Sequence, residues 1–181
     1  MRIISGEYGG RRINPPTKMP YTRPTTDIAK EGLFNVLQHH FNFPEIITLD
    51  LFGGTGCISY ELASRGAKEL TIVEKDTAMC EFIKKTAAGL KIENLKTIRM
   101  DVFKFIEQCT EKYDFIFAGP PYALTNINEI PELIFEKKLL NKNGWFVLEH
   151  TPRNDYKTFP YYKSERNYGT TVFSTFIEHR D

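Results

Sequence analysis

Residues 46–56 read Ile46-Ile47-Thr48-Leu49-Asp50-Leu51-Phe52-Gly53-Gly54-Thr55-Gly56. The run Ile46–Leu51 is apolar and β-branched apart from one acid, and it is too short for a buried helix, so it reads as a strand. The glycines behind it allow a tight strand-to-helix turn and a close approach of main chain to a ligand. Cys57 to Arg65 then has the pattern of a helix. Strand, glycine turn and helix in this order open a βα unit.

The same alternation continues downstream. Leu70–Val73 reads as a strand and Thr77–Leu90 as a helix; Leu95–Met100 as a strand and Val102–Cys109 as a helix. Tyr113–Ala118 follows as a strand, Ile127–Leu140 as a helix after a loop, and Gly144–Glu149 as a fifth strand. Such spacing calls for right-handed crossovers and a parallel sheet covered on both faces. Tyr161–Arg166 and Thr170–Glu178 flank Asn167-Tyr168-Gly169, the pattern of an antiparallel hairpin closing one sheet edge.

Upstream, the pattern differs. Residues 1–26 carry five cationic side chains, Arg2, Arg11, Arg12, Lys18 and Arg23, against the single acid Glu7. Arg2–Ser5 and Arg11–Asn14 flank a glycine-rich turn and read as a small hairpin, after which prolines interrupt regular structure. Thr26 or Asp27 is placed to cap a helix with Ile28, Leu33, Phe34 and Leu37 on its packing face, ending before Pro44. Residues 1–44 are therefore expected to form an extension and residues 45–181 the main α/β domain.

Composition bounds the function. The chain has 181 residues, 41% of them hydrophobic and 26% charged, enough for one well-packed core and too apolar for intrinsic disorder. A net charge of +1 excludes a globally basic nucleic-acid coat but leaves room for the N-terminal basic patch. Cys57, Cys80 and Cys109 are widely spaced, which argues against a disulfide framework or a zinc knuckle. His39, His40, His150 and His179 lack metal-ligand spacing, so no metal is expected. The sequence has no membrane-length apolar run and opens without an apolar leader, which points to the cytoplasm. Trp145 is expected in the core.

Three acids follow successive strands. Asp50 directly precedes the glycine turn, where a carboxylate would repel a pyrophosphate and attract an ammonium group. Neither a phosphate-binding Gly-Lys-Ser/Thr nor a Gly-x-Gly-x-x-Gly is present, since position 59 is Ser59. The chemistry that fits is S-adenosylmethionine, which carries an α-amino group and a sulfonium and no phosphate. Glu74 ends the second strand, where an acid can accept from both ribose hydroxyls, and Asp101 follows the third, where it could accept from the adenine amino group. Asp50, Phe52, Gly53, Gly54, Gly56, Glu74, Lys75, Asp101 and Val102 make up the candidate cofactor set.

Gly119-Pro120-Pro121-Tyr122 follows the fourth strand and is the candidate catalytic loop. Consecutive prolines hold the chain extended and leave carbonyls as acceptors, and the aromatic can stack on a flipped base. Transfer of a methyl group to an exocyclic amine needs such acceptors, because they favour the geometry in which nitrogen attacks in line.

With these residues in view, the chain resembles the Asp/Asn-Pro-Pro-Tyr/Phe amino-methyltransferases, and more closely the RsmD-type 16S rRNA guanine-N2 methyltransferases. The resemblance rests on Arg2-Ile3-Ile4-Ser5-Gly6 with Gly10-Arg11-Arg12 and on Arg23-Pro24-Thr25-Thr26-Asp27 leading into Glu31, Leu33, Phe34 and Asn35. It continues through the Asp50 loop, Glu74, Asp101, the Pro-Pro-Tyr loop and Tyr168-Gly169. It implies a Rossmann-like, mostly parallel α/β sheet with an antiparallel C-terminal edge hairpin and a small N-terminal extension. It also implies a monomer that transfers a methyl group from S-adenosylmethionine to a guanine N2 in 16S rRNA, in an assembling small ribosomal subunit. Arg2, Arg11, Arg12, Arg23 and Thr25 are the candidate RNA contacts.

One position departs from the family pattern: Gly119 stands where Asp or Asn is expected, which removes a side-chain acceptor. Either the Gly119 and Pro120 carbonyls suffice, or another acid such as Glu149 substitutes, or catalysis is weak or absent. Two other readings compete. A DNA adenine-N6 methyltransferase would use a similar loop, but the chain leaves no residues for a separate target-recognition domain. A non-catalytic, cofactor-binding RNA or ribosome-assembly module draws its support from Gly119.

Overall fold

The computed structural model describes residues 1–19 and 24–178. The elements follow one another as α1 (Asp27–His40), a 3-10 turn (Phe43–Glu45), β1 (Ile47–Leu51), α2 (Cys57–Ser64), β2 (Glu69–Glu74), α3 (Thr77–Gly89), β3 (Leu95–Arg99), α4 (Val102–Gln108), β4 (Tyr113–Ala118), α5 (Glu129–Glu136), β5 (Leu140–His150), β6 (Tyr162–Tyr168) and β7 (Thr171–Ile177). The seven strands form one sheet in the order β3-β2-β1-β4-β5-β7-β6. β1 to β5 pair in parallel, and β7 joins β5 and β6 antiparallel, as the alternation and the C-terminal hairpin predict.

Period-two alternation in the strands sorts side chains between two cores. Leu49, Leu51, Ile116, Ala118, Phe146 and Leu148 face one layer with Ile106 of α4 and Ile130 and Ile134 of α5. Phe115, Phe117 and Val147 face the other with Leu33, Phe34 and Leu37 of α1 and Leu62 of α2. Asp50, between Leu49 and Leu51, therefore faces the α1–α2 side. Trp145 is buried in that layer, with His40 at the end of α1 stacked on its ring.

Four expectations are corrected. The N-terminal hairpin is a single antiparallel bridge between Arg2 and Arg12, not a pair of strands. What holds it is burial of Ile3 and Ile13 beside Tyr60 and Leu90, together with a close approach of Gly6 to α2. A Cβ on Gly6 would lie 2.0 Å from the Ser64 carbonyl oxygen. Next, Ile28 is not on the packing face of α1 but 75% exposed. The buried stripe is Lys30, Leu33, Phe34 and Leu37, with Ala29, and Ile28 falls off it by the helix's 3.6-residue period. The predicted helix 127–140 shrinks to Glu129–Glu136, because Lys138 turns left-handed (φ 53°) and Leu139 N–H returns to the Ile134 carbonyl. Finally, β5 begins at Leu140 rather than Gly144. Asn143 at φ 64° and a register shift opposite Tyr113/Phe115 carry the strand through an irregularity that turn residues disguise in the sequence.

Candidate active site

In this sheet, β1 lies between β2 and β4, so the strand order reverses at its carboxyl end, where open α/β sheets bind ligands. A cleft of about 680 Å³ opens there, within the roughly 300–1,000 Å³ typical of small-molecule sites. Asp50, Phe52, Gly53, Gly54, Glu74, Lys75, Asp101 and Val102 line it, together with Gly119, Pro120, Pro121 and Tyr122. Both predicted sets, from four different strand ends, thus meet in one cleft.

The glycine turn is shaped by its neighbours. A Cβ on Gly53 would lie 2.3 Å from Ile72 Cγ1, and Gly54 has a φ of 55°. Phe52 also takes a left-handed φ of 59°, uncommon for a non-glycine residue, to present its ring to the cleft. Gly56 does not line the cleft: it caps α2 at φ 82°, against the Tyr60 ring. Its role is the turn.

The acids differ in their settings. Asp50 is 2% exposed and accepts from the Ser59 hydroxyl at 2.8 Å. Burial pushes its carboxyl up to about 7, with Glu74 and Glu149 adding repulsion against the Ser59 hydrogen bond. Glu74 Oε2 accepts from Gly54 N–H at 2.8 Å and Oε1 from Asp76 N–H at 2.9 Å, so this carboxylate holds the turn as well as facing the cleft. Asp101 Oδ1 caps α4, accepting from Phe103 and Lys104 N–H, which leaves Oδ2 as the atom an adenine amine would have to reach. Asp50, Glu74, Asp76, Asp101 and Glu149 line the cleft against Lys75 alone among the described residues. Five carboxyl groups facing one ammonium disfavour a phosphate and suit a ligand carrying an ammonium and a sulfonium. The donor set therefore fits S-adenosylmethionine.

On the loop, Gly119 N–H donates to the Leu51 carbonyl and the Pro121 carbonyl accepts from Leu124 N–H. Space beside Gly119 is tight, since a Cβ there would lie 3.1 Å from Phe117 Cε1. The Tyr122 hydroxyl donates to Glu149 Oε1 at 3.0 Å and lies 3.1 Å from the Thr171 hydroxyl. Thr25, read as an RNA contact, is 7% exposed and donates to Glu149 Oε2 at 2.7 Å. It belongs to the cleft, not to the outer surface. Nothing in the sequence marks Thr171 or Ser59 as polar partners of Tyr122 and Asp50, because isolated hydroxyls on a strand and a helix carry no spacing signal.

The remaining basic residues lie outside. Arg2, Arg11 and Arg12 are exposed, Arg2 at 3.6 Å from Asp27 and Arg11 over the Tyr8 ring. Arg23 and His179 lie outside the described residues. The segment that carries the arginines is fastened to α2 by Glu61, fully buried, which accepts from Ile4 and Ser5 N–H and pairs with Arg65 and Lys30.

A family model described as conserved hypothetical protein 95 matches residues 1–177. The ribosomal RNA small subunit methyltransferase D of Escherichia coli strain K12 is 33% identical over 152 residues, 82% of this chain and 71% of that protein. Its namesake from Buchnera aphidicola subsp. Baizongia pistaciae is 31% identical over 149 residues, covering 82% and 75%. The solved structure of yhhF from Escherichia coli, described as a methyltransferase, superposes with a TM-score of 0.85 at 27% identity, covering 97% of this chain and 96% of that one.

Proposed function

The chain belongs to the conserved hypothetical protein 95 family, and we propose that it is an S-adenosylmethionine-dependent methyltransferase acting on the N2 of a guanine in small-subunit ribosomal RNA. The observation that carries this reading is the meeting of the acid-lined half-cleft and the Pro-Pro-Tyr loop in one site. S-adenosylmethionine, when bound, supplies an electrophilic methyl group. The chain's own residues do the rest. Asp50 holds the amino group, Glu74 the ribose hydroxyls and Asp101 the adenine edge. Tyr122 stacks the flipped guanine, and the carbonyls of Gly119 and Pro120 accept from its exocyclic amine, aligning the nitrogen for in-line attack.

In this reading residues 1–44 form an RNA-positioning extension, with Arg2, Arg11, Arg12 and Arg23 on phosphates. The exposure of the first three supports that role. The substrate is the RNA of an assembling small subunit, met in the cytoplasm by a monomer. No helix among the described residues is long and apolar enough to cross a membrane.

Transfer of a labelled methyl group tests the proposal on three substrates: small subunits from cells lacking the protein, naked ribosomal RNA and duplex DNA. Label in a guanine of the small-subunit RNA is the expected result. Label in DNA adenine, or no transfer to any of the three, would overturn it.

A further inference from the structure

β4 and β5 run parallel with Phe117 beside Val147 and Ala118 beside Leu148. The next step along this register brings Gly119 beside Glu149. Register partners in a parallel pair point to the same face, here the side that Asp50 also faces. A Cβ on Gly119 would stand 3.6 Å from Glu149 Oε2. An aspartate at position 119 would carry its own carboxyl oxygens two bonds beyond that Cβ, into the space the Glu149 carboxylate already approaches.

Glu149 is 5% exposed, and a carboxylate so buried is costly unless hydrogen-bonded. Thr25 donates to Oε2 at 2.7 Å and Tyr122 to Oε1 at 3.0 Å, so both oxygens are aimed by side chains of the cleft. These donors reach it from the N-terminal segment and from the catalytic loop. A carboxylate serving only to join β5 to its neighbours would not require partners on both.

We propose that Glu149 is the carboxylate this site uses in place of the one missing at position 119. It accepts from one hydrogen of the target amine, the loop carbonyls of Gly119 and Pro120 sharing the other, and then takes its proton, with Thr25 and Tyr122 as positioning residues. The proposal rests on the methyltransferase reading above. The lone pair of the guanine N2 forms the bond to the methyl carbon while the carbon–sulfur pair returns to sulfur, leaving a neutral thioether. The nitrogen, now cationic, gives one proton to Glu149 Oε2, and water removes it from the carboxyl group. An alkylated exocyclic ammonium is a stronger acid than a carboxylic acid, so this transfer runs downhill.

The test is single-turnover transfer of labelled methyl to small subunits from cells lacking the protein. It compares wild type, Glu149→Gln, Glu149→Asp, and Glu149→Gln combined with Gly119→Asp. Glu149→Gln is expected to slow transfer by about 10²–10³-fold at saturating cofactor, where any change in cofactor affinity no longer limits the rate. Gly119→Asp in that background is expected to restore at least about tenfold, because it returns a carboxylate to the same space from the adjacent strand. Glu149→Asp keeps the charge but withdraws it by one methylene, and a loss of about tenfold or more is expected there. That variant decides the matter if Glu149→Gln melts below the assay temperature. An undiminished rate in either single variant overturns the proposal, as does a slow Glu149→Gln that Gly119→Asp fails to rescue. A wild-type protein that methylates no substrate overturns the methyltransferase reading itself, and this inference with it. The two failures are therefore distinct.

Discussion

The Ser59 hydroxyl donates to Asp50 Oδ2 across 2.8 Å, from the first turn of α2 back to the end of β1. Ser59, through its hydroxyl and its main chain, favours the charged form of a carboxyl that burial pushes up to about 7. The folded-state value lies above the unfolded one, so near neutral pH the folded protein holds more protons here than the unfolded chain. Stability from this group accordingly increases as pH falls from about 7 towards the ordinary aspartate range, the reverse of a salt-bridged carboxylate.

Cofactor binding should run in the opposite direction. An ammonium group prefers the charged carboxylate, so affinity should rise between about pH 6 and pH 8 as Asp50 ionises. Asp50→Asn should bind more weakly at pH 8, should lose that dependence, and should be no less heat-stable there than wild type. Calorimetric titrations at three pH values, with melting curves, check all three outcomes. A wild-type affinity that is flat across this range would remove Asp50 from the ammonium site.

Glu74→Ala should weaken cofactor binding by about 1–3 kcal/mol, since charged hydrogen bonds to hydroxyls are lost. The same carboxylate anchors Gly54 and Asp76 N–H, so the glycine turn should also loosen. Amide exchange at residues 53–56 should speed up in the variant, and calorimetry should report the loss of affinity. Unchanged affinity would take Glu74 out of the cofactor site.

Arg11 and Arg12 should contribute salt-dependent RNA affinity, with a log-log slope of about −0.7 per phosphate contact on single strands. Replacing both with Ala should flatten the slope by roughly one to two contacts and leave cofactor binding intact. Filter binding across a salt series measures this. An unaltered slope places the RNA surface elsewhere.

Two glycines in helices should respond oppositely to alanine. At Gly89 a Cβ meets nothing within 4 Å, so Gly89→Ala should gain about 0.5–1 kcal/mol from helix propensity. At Gly32 a Cβ would lie 2.1 Å from the Tyr168 hydroxyl oxygen. The propensity gain of about 1 kcal/mol there is outweighed by overpacking of about 1–3 kcal/mol. Thermal melts should move up for the first and down for the second, and Tyr168→Ala should relieve the second.

The strand–helix alternation and the three acids at strand ends, Asp50, Glu74 and Asp101, were legible because they depend on local spacing: a short apolar run, an acid at its end, and in the first case glycines behind it. The parts that were not legible depend on partners distant in sequence. Thr25 reads as one more residue of a basic arm, and only the approach of β5 reveals it as a donor to Glu149, 124 positions away. Ile28 reads as core by its own apolar side chain, yet the helix phase is set by where Leu33, Phe34 and Leu37 meet the sheet. The start of β5 is hidden by Asn141, Asn143 and Gly144, turn formers that here carry an irregular strand.

Glu61 gives the molecule a fixed internal measure. Its carboxylate grips the main chain of Ile4 and Ser5 while sitting on α2, the helix that Gly56 launches from the glycine turn. The arginines of the first 12 residues are thus held at a constant offset from the end of β1. In the reading proposed here, a phosphate held by that arm and a base presented to the Pro-Pro-Tyr loop must be separated by that one span. In that same reading, choice of nucleotide would become a matter of gauge, set by whether the RNA's folded contour matches the span.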